Sequence, residues 1–270
     1  MLASHAGRPS GLRGTPVPTR RTQHLRHRHD DLFETFYAHP FLRALADGTA
    51  SRESVLHYVG QDHQYLTAYL RCYGHGIAMS PDREWVAWFR DSIDFLLQDE
   101  VHPHHVLCEA FGVSYEEAQV ERMAPTAQAY IDHMTRAAND SLGVLPAALL
   151  PCPWTYIWSA QRQVAEQPLA PDNPFHGWWA FYTGDATTGL LDDFVTRLDV
   201  LAADAGPAER DRMARAGLSR RQPRTVRPRE ARRCRSGGCR CGRPGRSRRG
   251  GRATGRSRGR VAGPASHRRS

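Results

Sequence analysis

Lysine is absent from this sequence, and all 37 of its basic residues are arginine. Such a bias is expected from a GC-rich genome, in which arginine, glycine, proline and alanine codons dominate.

The sequence has no apolar run of the ~18 residues that a membrane-spanning helix needs. The first residues also lack the apolar stretch of a secretory signal. Of the six cysteines, three are scattered through the body of the chain and three cluster near its end, and nothing suggests a disulfide framework. These absences predict a cytoplasmic protein with no membrane partner.

Acidic residues are almost missing from the two ends of the chain. Residues 1–28 contain six arginines and no acid, and the stretch from Arg220 to Ser270 contains nineteen arginines and one acid, Glu230. The middle of the chain therefore keeps twelve arginines against 27 of the 28 acids, a net charge of −15. This charge is typical of a soluble enzyme and argues against a nucleic-acid-binding domain.

The two ends also have little apolar content. Residues 1–28 are rich in arginine, histidine, glycine and proline, and from position 217 onward there is no aromatic residue, isoleucine or methionine. Segments of this kind cannot bury enough apolar surface to offset the entropy lost on ordering. We therefore expect disordered extensions at 1–28 and 217–270 on either side of a folded domain at 29–216.

Between these ends, apolar residues recur at the three- and four-residue spacing of amphipathic helices. Ser51 has the position of an N-cap for a long helix whose buried face includes Asp62. Ser80-Pro81 indicates the start of the next helix, which ends shortly after Glu100, ahead of a proline. Glu100 falls in register with the apolar face of that helix.

Later segments have comparable start signals. Ser114 with Glu117 forms a capping box, and Thr126, after Pro125, starts another helix. A helical stretch runs from Leu142 to about Gln167, and a final helix begins at Asn173 and continues through Leu201. Since no segment has the alternation of a strand, the chain is predicted to be an all-α bundle of six or more helices, without internal repeats.

Cys152 lies between two prolines, Pro151 and Pro153, in the middle of a helical stretch. Because proline has no backbone N–H, the helix must break or restart there, and nearby N–H groups would point at the thiol and favour a thiolate. Tyr156, one helical turn later, shares a face with the cysteine. The alternative is an inert core cysteine, because free cysteine is among the most buried residue types.

Asp62 and Tyr65 lie three residues apart on the earlier helix and also share a face. A carboxylate on an apolar stripe needs a partner or a raised pKa, and such residues are often functional. Together with Cys152 and Tyr156 these residues could line one pocket. The tyrosines that are candidates for a site, and equally compatible with amphipathic core positions, are Tyr65, Tyr130, Tyr156 and Tyr182.

Five segments occur in the order seen in the TenA (thiaminase II) family and resemble it in sequence. The segment around Cys152 is the most specific of these matches. The segments are His39-Pro40-Phe41, Gln61–Leu66, Pro125–Tyr130, Ala148–Tyr156 and Trp178–Tyr182. This resemblance implies a haem-oxygenase-like multi-helix bundle.

The resemblance also implies hydrolysis of the bond to a pyrimidine methylene carbon. Thiamin, or its aminomethyl degradation product in thiamin salvage, would release 4-amino-5-hydroxymethyl-2-methylpyrimidine, with water as second substrate and no metal or other cofactor. Cys152 would attack the electron-poor ring, and Asp62 would bind its amino group and ring nitrogen. The residues implied to stack on or hydrogen-bond to the ring are Tyr65, Tyr130, Tyr156 and Tyr182. A homotetramer that binds a small aminopyrimidine or thiamin is implied as well.

One feature of the family pattern is missing. In that pattern a glutamate acting as general acid and base lies on a last helix, shortly before a Phe-Trp pair, and residues 217–270 contain no such segment. Glu230 lies among arginines with no helical face around it.

Our hypothesis is a frameshift near residue 216, so that the domain at 29–216 lacks its last helix. The other frames of the gene should then encode a Glu-rich segment ending in Phe-Trp, and its absence would refute the hypothesis. Loss of such a residue typically lowers a rate about a hundredfold or more.

Three other functions compete with this interpretation. A metal-dependent oxygenase would use Glu100 and His104, but the sequence lacks the paired Glu-x-x-His motifs of di-iron bundles. A nucleic-acid-binding role would rest on the arginine-rich tail, which has no aromatic residue for base stacking. The tail cysteines Cys234, Cys239 and Cys241 have no credible fourth metal ligand. A non-catalytic protein that binds thiamin or a pyrimidine, as a regulator would, is the third alternative.

Overall fold

The computed structural model describes residues 26–217, and this part of the chain is α-helical without a β-strand. The predicted all-α architecture is therefore confirmed for these residues. Residues 26–28, which composition assigned to the N-terminal extension, already have helical backbone. The rest of both predicted extensions, and with it the frameshift hypothesis, lies outside the described residues.

The helices follow one another with short connections. Those of the first half are α1 (Asp30–Tyr37), α2 (Pro40–Ala46), α3 (Arg52–Met79), α4 (Arg83–Gln98), α5 (His102–Glu109) and α6 (Tyr115–Ala118). Those of the second half are α7 (Pro125–Ala138), α8 (Val144–Leu149), α9 (Pro151–Glu166), α10 (His176–Thr183), α11 (Asp185–Asp204) and α12 (Pro207–Ala216). Between residues 26 and 217, no helix is long and apolar enough to cross a membrane.

Two of the predicted helix starts are confirmed by their capping hydrogen bonds. The hydroxyl of Ser51 accepts a hydrogen bond from the backbone N–H of Ser54 at 3.2 Å, and α3 begins at the next residue. Ser114 and Glu117 form both hydrogen bonds of the capping box at the start of α6. These local signals act within one turn of the chain, which is why sequence alone reveals them.

The predicted start of α4 was two residues too early. The N-cap is Asp82, whose carboxylate accepts hydrogen bonds from the backbone N–H groups of Glu84 and Trp85 at 2.9 and 3.0 Å. Ser80 instead ends α3, because its hydroxyl donates back to the carbonyl of Gly76. An aspartate carboxylate is at least as good a cap as a serine hydroxyl, and here it satisfies two free donors at once.

The helix predicted from Asn173 through Leu201 is wrong in its extent. Asn173 is buried and donates its side-chain amide to the carbonyls of Leu45 and Ala46 at 3.0 and 2.8 Å, so it anchors a loop to α2. Gly184 then separates α10 from α11 with extended backbone, φ −69° and ψ 149°. Nor is α11 the final helix, since α12 follows it.

The core consists of two hydrophobic clusters that share α3. The second half of α3 packs with α4, α7, α8, α11 and α12, whereas its first half packs with α2, α5, α6, α9 and α10. Asp62 lies on α3 between Val59 of one cluster and Tyr65 of the other. Cys152 contacts both clusters from the start of α9. The candidate nucleophile is thus at the junction of the two clusters.

The last described helix is fixed to the bundle by both apolar and polar contacts. Met213 and Ala216 of α12 are buried against the cluster that contains α8. Glu209 accepts a hydrogen bond from the hydroxyl of Ser141 at 2.6 Å, and a ring nitrogen of His133 lies 2.9 Å from the carbonyl of Ala216. The described chain therefore ends against the helix that leads to Cys152.

Candidate active site

The residues that the sequence singled out come together from four helices around one sulfur atom. Each of the other five interacts with the Cys152 thiol, by charge or by hydrogen bond. All five are buried, with exposed fractions of 2–6%, whereas Cys152 is partly exposed. The residues and their helices are Asp62 and Tyr65 of α3, Tyr130 of α7, Cys152 and Tyr156 of α9, and Tyr182 of α10.

A cavity of about 60 Å³ opens beside the sulfur. Cys152, Tyr156 and Tyr182 line it, together with Glu100 from the turn that follows α4. The remaining walls are mostly aromatic and aliphatic side chains of α3, α4, α9 and α11. Asp62, Tyr65 and Tyr130 are absent from this lining and are buried next to the cysteine. A partly enclosed apolar cavity with few polar groups is typical of a small-molecule site.

The four tyrosines form two stacked pairs, one in each of the hydrophobic clusters that Cys152 contacts. The rings of Tyr65 and Tyr130 have centroids 5.5 Å apart and an interplanar angle of 15°. Those of Tyr156 and Tyr182 are 5.2 Å apart at 23°. Near-parallel aromatic rings present flat faces and edge-directed hydroxyl groups, a combination that suits a planar heteroaromatic ligand.

The surroundings of Cys152 oppose the thiolate that the sequence suggested. Burial raises the pKa of the Cys152 thiol well above its ordinary value, and the charge of Asp62 raises it further. The hydroxyl of Tyr65 acts in the opposite direction, because it hydrogen-bonds to the sulfur. The thiolate prediction is therefore wrong, and Cys152 is a neutral thiol at pH 7.

The helix break beside Cys152 is smaller than the two prolines indicated. Leu150 keeps right-handed helical backbone, φ −51° and ψ −38°, so that α8 runs almost directly into α9. Trp154 already donates its N–H to the carbonyl of Leu150 at 3.2 Å. Pro151 and Pro153 occupy the first turn, where they remove two of the N–H groups that would otherwise stabilise an anion.

Asp62 is held by a buried histidine that sequence reasoning did not pair with it. Nε2 of His104 lies 2.9 Å from Oδ2 of Asp62, and Nδ1 of the same ring lies 3.3 Å from the hydroxyl of Tyr115. That hydroxyl is in turn 2.9 Å from Nδ1 of His63, which is partly exposed. When His104 donates from Nε2 to the carboxylate, its Nδ1 accepts from Tyr115. The chain of contacts thus fixes the orientation of Asp62 and connects it to the surface.

Glu100 is the second carboxyl group near the sulfur. Burial raises its pKa from 4.5 to about 8, the charge of Asp62 adds to this effect, and a hydrogen bond from Tyr182 opposes it. The hydroxyl of Tyr182 donates to Oε1 of Glu100 at 3.5 Å. The sequence had placed Glu100 on the apolar face of α4 and had grouped it with His104. In the structure, His104 contacts Asp62 and Glu100 contacts Tyr182.

Other residues near the sulfur were missed although the sequence contains a signal for them. Tyr69 and Tyr73 line the cavity and follow Tyr65 on α3 at intervals of four residues, which places them on the same helical face. The contact between His104 and Asp62 has no such signal, because the two residues lie 42 positions apart and meet only when α5 packs against α3.

Within the described part of the chain, no group of three or more histidine, cysteine, aspartate or glutamate side chains is arranged to hold a metal ion.

The described domain is all-helical, and Cys152, Glu100, Tyr156 and Tyr182 line its cavity while Asp62, Tyr65 and Tyr130 are buried next to the cysteine. The model of the TENA/THI-4/PQQC family matches residues 26–213, and the chain belongs to this family.

Several curated relatives carry the name aminopyrimidine aminohydrolase, and two of them illustrate the similarity. The protein of Halalkalibacterium halodurans is 29% identical over 184 residues, which cover 67% of this chain and 82% of that relative. The protein of Bacillus subtilis is 28% identical over 182 residues, which cover 67% of this chain and 76% of that relative.

Among solved structures, a TenA homologue from P. horikoshii OT3 superposes with a TM-score of 0.64 at 23% identity, over 72% of this chain and 90% of that one. At this identity the likeness shows the fold, which is the helical bundle that the sequence predicted.

Proposed function

We propose that this chain is a hydrolase of thiamin metabolism, an aminopyrimidine aminohydrolase of the thiaminase II type. It replaces the group on the methylene carbon of a 4-aminopyrimidine by a hydroxyl group from water and releases 4-amino-5-hydroxymethyl-2-methylpyrimidine. Membership of the family and the names of two relatives support the proposal. The observation that carries it is the convergence of Asp62 and four tyrosines on Cys152 at the wall of one cavity.

Binding of the pyrimidine uses the stacked tyrosines and Asp62. The ring lies against Tyr156 and Tyr182 in the cavity, and the carboxylate of Asp62 accepts hydrogen bonds from the amino group of the ring. A site that binds benzene has a volume of about 150 Å³, whereas this cavity has about 60 Å³. The lining rings must therefore move apart when the substrate enters, and Asp62 then becomes accessible to it.

The covalent step uses the neutral thiol. The sulfur of Cys152 bonds to a ring carbon while the thiol proton passes to a ring nitrogen, so that addition needs no free thiolate. The electron pair gained by the ring expels the leaving group from the methylene carbon. Water then adds to that carbon, the carbon–sulfur bond breaks, and the proton returns to the sulfur. Tyr65, hydrogen-bonded to the sulfur, stabilises negative charge on it during both transfers.

The proposal is tested by product analysis with the full-length chain. We expect the purified protein to convert the aminomethyl pyrimidine, and thiamin, into the hydroxymethyl pyrimidine. Cys152→Ser should lower kcat by a factor on the order of a thousand or more, because loss of the nucleophile removes the covalent route. Chromatography of the pyrimidine product measures both rates.

The matched control is Cys108→Ala, since Cys108 is also buried, lies on α5 and is not among the residues that line the cavity. This variant should keep kcat within about threefold. Tight binding of thiamin without any product would contradict the enzymatic proposal and favour a non-catalytic regulator. Equal activity of the Cys152→Ser variant and the wild type would contradict the role of the thiol.

Two parts of the proposal concern the cell and the assembly. The resemblance to the family implies a role in thiamin salvage in the cytoplasm and a homotetramer, and both stay predictions. The mass of the purified protein in solution tests the second, and a monomer would contradict it.

A further inference from the structure

We propose that Glu100 is the proton donor to the leaving amine at this site and the acceptor of a proton from the attacking water. This inference rests on the proposed hydrolysis and names a catalytic residue for it. Among the described residues that line the cavity, Glu100 carries the only carboxyl group. It therefore shares the cavity wall with Cys152 and is available to a ligand bound against the sulfur.

The position of Glu100 is fixed by the backbone and by a tyrosine. It lies in the turn between α4 and α5, where its N–H donates to the carbonyl of Phe95 at 3.1 Å. Its carboxyl group accepts the hydrogen bond of Tyr182, one of the rings that line the cavity. A donor for a departing group must be held within reach of the bond that breaks, and these two contacts supply that restraint.

The other carboxyl group is poorly placed for the same task. Asp62 lies outside the cavity lining and is oriented by His104, 2.9 Å away. A carboxylate engaged by a buried histidine is suited to fixed hydrogen bonding with a substrate, since one of its oxygens already has a partner. Two carboxyl groups in different surroundings commonly have different pKa values, so that one is a protonated acid and the other an anion at the same pH.

The protonation state of Glu100 agrees with an acid and base role near neutral pH. Its pKa of about 8 is due first to burial and second to the charge of Asp62. The titratable groups that interact with Glu100 are three tyrosine hydroxyls, one thiol and one carboxylate. None of these five groups carries a positive charge that would lower the pKa of Glu100. They are Asp62 and Tyr73 of α3, Cys152 and Tyr156 of α9, and Tyr182 of α10. At pH 7 the carboxyl group is largely protonated and can donate.

The proton balance of the reaction closes through this residue. When the carbon–nitrogen bond of an aminomethyl pyrimidine breaks, the nitrogen takes the electron pair and the proton of Glu100, and ammonia leaves. The resulting carboxylate accepts a proton as the oxygen of water bonds to the methylene carbon, which restores the acid. The sum is one amine and one water converted into one alcohol and one ammonia.

Two substrates with different leaving groups separate this role from a structural one. Ammonia cannot leave without a proton, whereas the positively charged nitrogen of thiamin leaves as a neutral thiazole. Glu100→Gln keeps an oxygen that can accept the hydrogen bond of Tyr182 but cannot donate its former acidic proton. We expect this variant to lose about a hundredfold or more in kcat with the aminomethyl pyrimidine. With thiamin the loss should be at least tenfold smaller.

The matched control is Glu109→Gln, which changes an exposed glutamate on α5 and should leave both rates within about threefold of wild type. In the wild type, kcat for the aminomethyl substrate should fall as pH rises through about 8, because the donor is lost, and this limb should disappear in Glu100→Gln. Thermal unfolding of the variants verifies that they are folded.

A near-normal Glu100→Gln rate with the aminomethyl substrate overturns the inference, and so does an equal loss with both substrates. A wild-type protein that hydrolyses neither substrate overturns the proposed function and this inference together. The first two results leave the proposed function intact, because they require an active wild type.

Discussion

Two carboxyl groups lie near the Cys152 thiol, and they differ in their hydrogen-bond partners. Asp62 is contacted by His104, and Glu100 accepts from Tyr182. The same burial that raises the pKa of Glu100 also raises that of Cys152, so the resting site holds a neutral thiol beside a largely protonated acid. A low-dielectric site of this kind strengthens hydrogen bonds and favours proton transfers that create no isolated charge.

His104 provides a test of how Asp62 is positioned. We expect His104→Gln to raise KM for the aminomethyl pyrimidine about tenfold or more, with a smaller effect on kcat. The reason is that a hydrogen bond to a charged group contributes about 1.5–3 kcal/mol, and its loss leaves Asp62 misoriented. Steady-state kinetics measures the two constants separately.

The control for this variant is His105→Gln, since His105 is exposed on the same helix and its contact with this network is to the ring of Tyr115 rather than to Asp62. It should leave KM unchanged. An unaltered KM in His104→Gln would contradict the positioning role.

Sequence reasoning grouped residues that the structure brings together, and their roles in a site stay predictions. Spacing on one helix was enough to group Asp62 with Tyr65, and Cys152 with Tyr156, because helical faces follow from sequence separation. The state of the Cys152 thiol depends on burial and on Asp62, 90 positions away, and neither appears in the local sequence. The local signal, two flanking prolines, pointed in the wrong direction.

Helix α3 is the element on which both clusters depend, and its glycines permit close packing. A Cβ atom on Gly76 would lie 2.4 Å from the ring of Phe89 on α4, whereas one on Gly74 would meet nothing within 4 Å. Gly76 is buried and Gly74 is exposed on the same helix. The contact between α3 and α4 therefore requires glycine at one of these positions and tolerates a side chain at the other.

The two glycines form a matched pair for a stability test. We expect Gly76→Ala to lower the free energy of unfolding by about 1–2 kcal/mol, because overpacking costs about 1–3 kcal/mol and the better helix propensity of alanine offsets part of it. Gly74→Ala should raise it by up to about 1 kcal/mol. Urea denaturation followed by circular dichroism measures both, and a Gly76→Ala protein as stable as Gly74→Ala would contradict the packing described for α3.

Helix starts were more predictable than helix ends and connections. Ser51 and the Ser114–Glu117 box act through hydrogen bonds inside one turn, so the sequence reveals them. The near-continuity at Leu150 has no local sign in the sequence, whereas the division at Gly184 falls at a glycine, a residue that commonly ends helices. Prolines at the first turn of a helix are compatible with both a break and a continuation.

At the scale of the whole described domain, the site lies where two hydrophobic clusters meet. Cys152 contacts both, and Asp62 occupies the corresponding point along α3. Polar groups are easier to accommodate at such a junction than inside a cluster, because the packing is already interrupted there. The junction could not be foreseen from the sequence, since it depends on which helices pair, although the helical content and the order of the site segments could.

The central claim is that this junction is the active site of a hydrolase that uses water to replace a leaving group on a pyrimidine methylene carbon. The most direct measurement is mass spectrometry of the pyrimidine product after reaction of the full-length protein with the aminomethyl pyrimidine in ¹⁸O-labelled water. The account predicts a hydroxymethyl pyrimidine that carries one ¹⁸O atom, formed by the wild type and not by Cys152→Ser. A wild type that forms no such product, or a Cys152→Ser protein that forms it at the wild-type rate, would contradict the account.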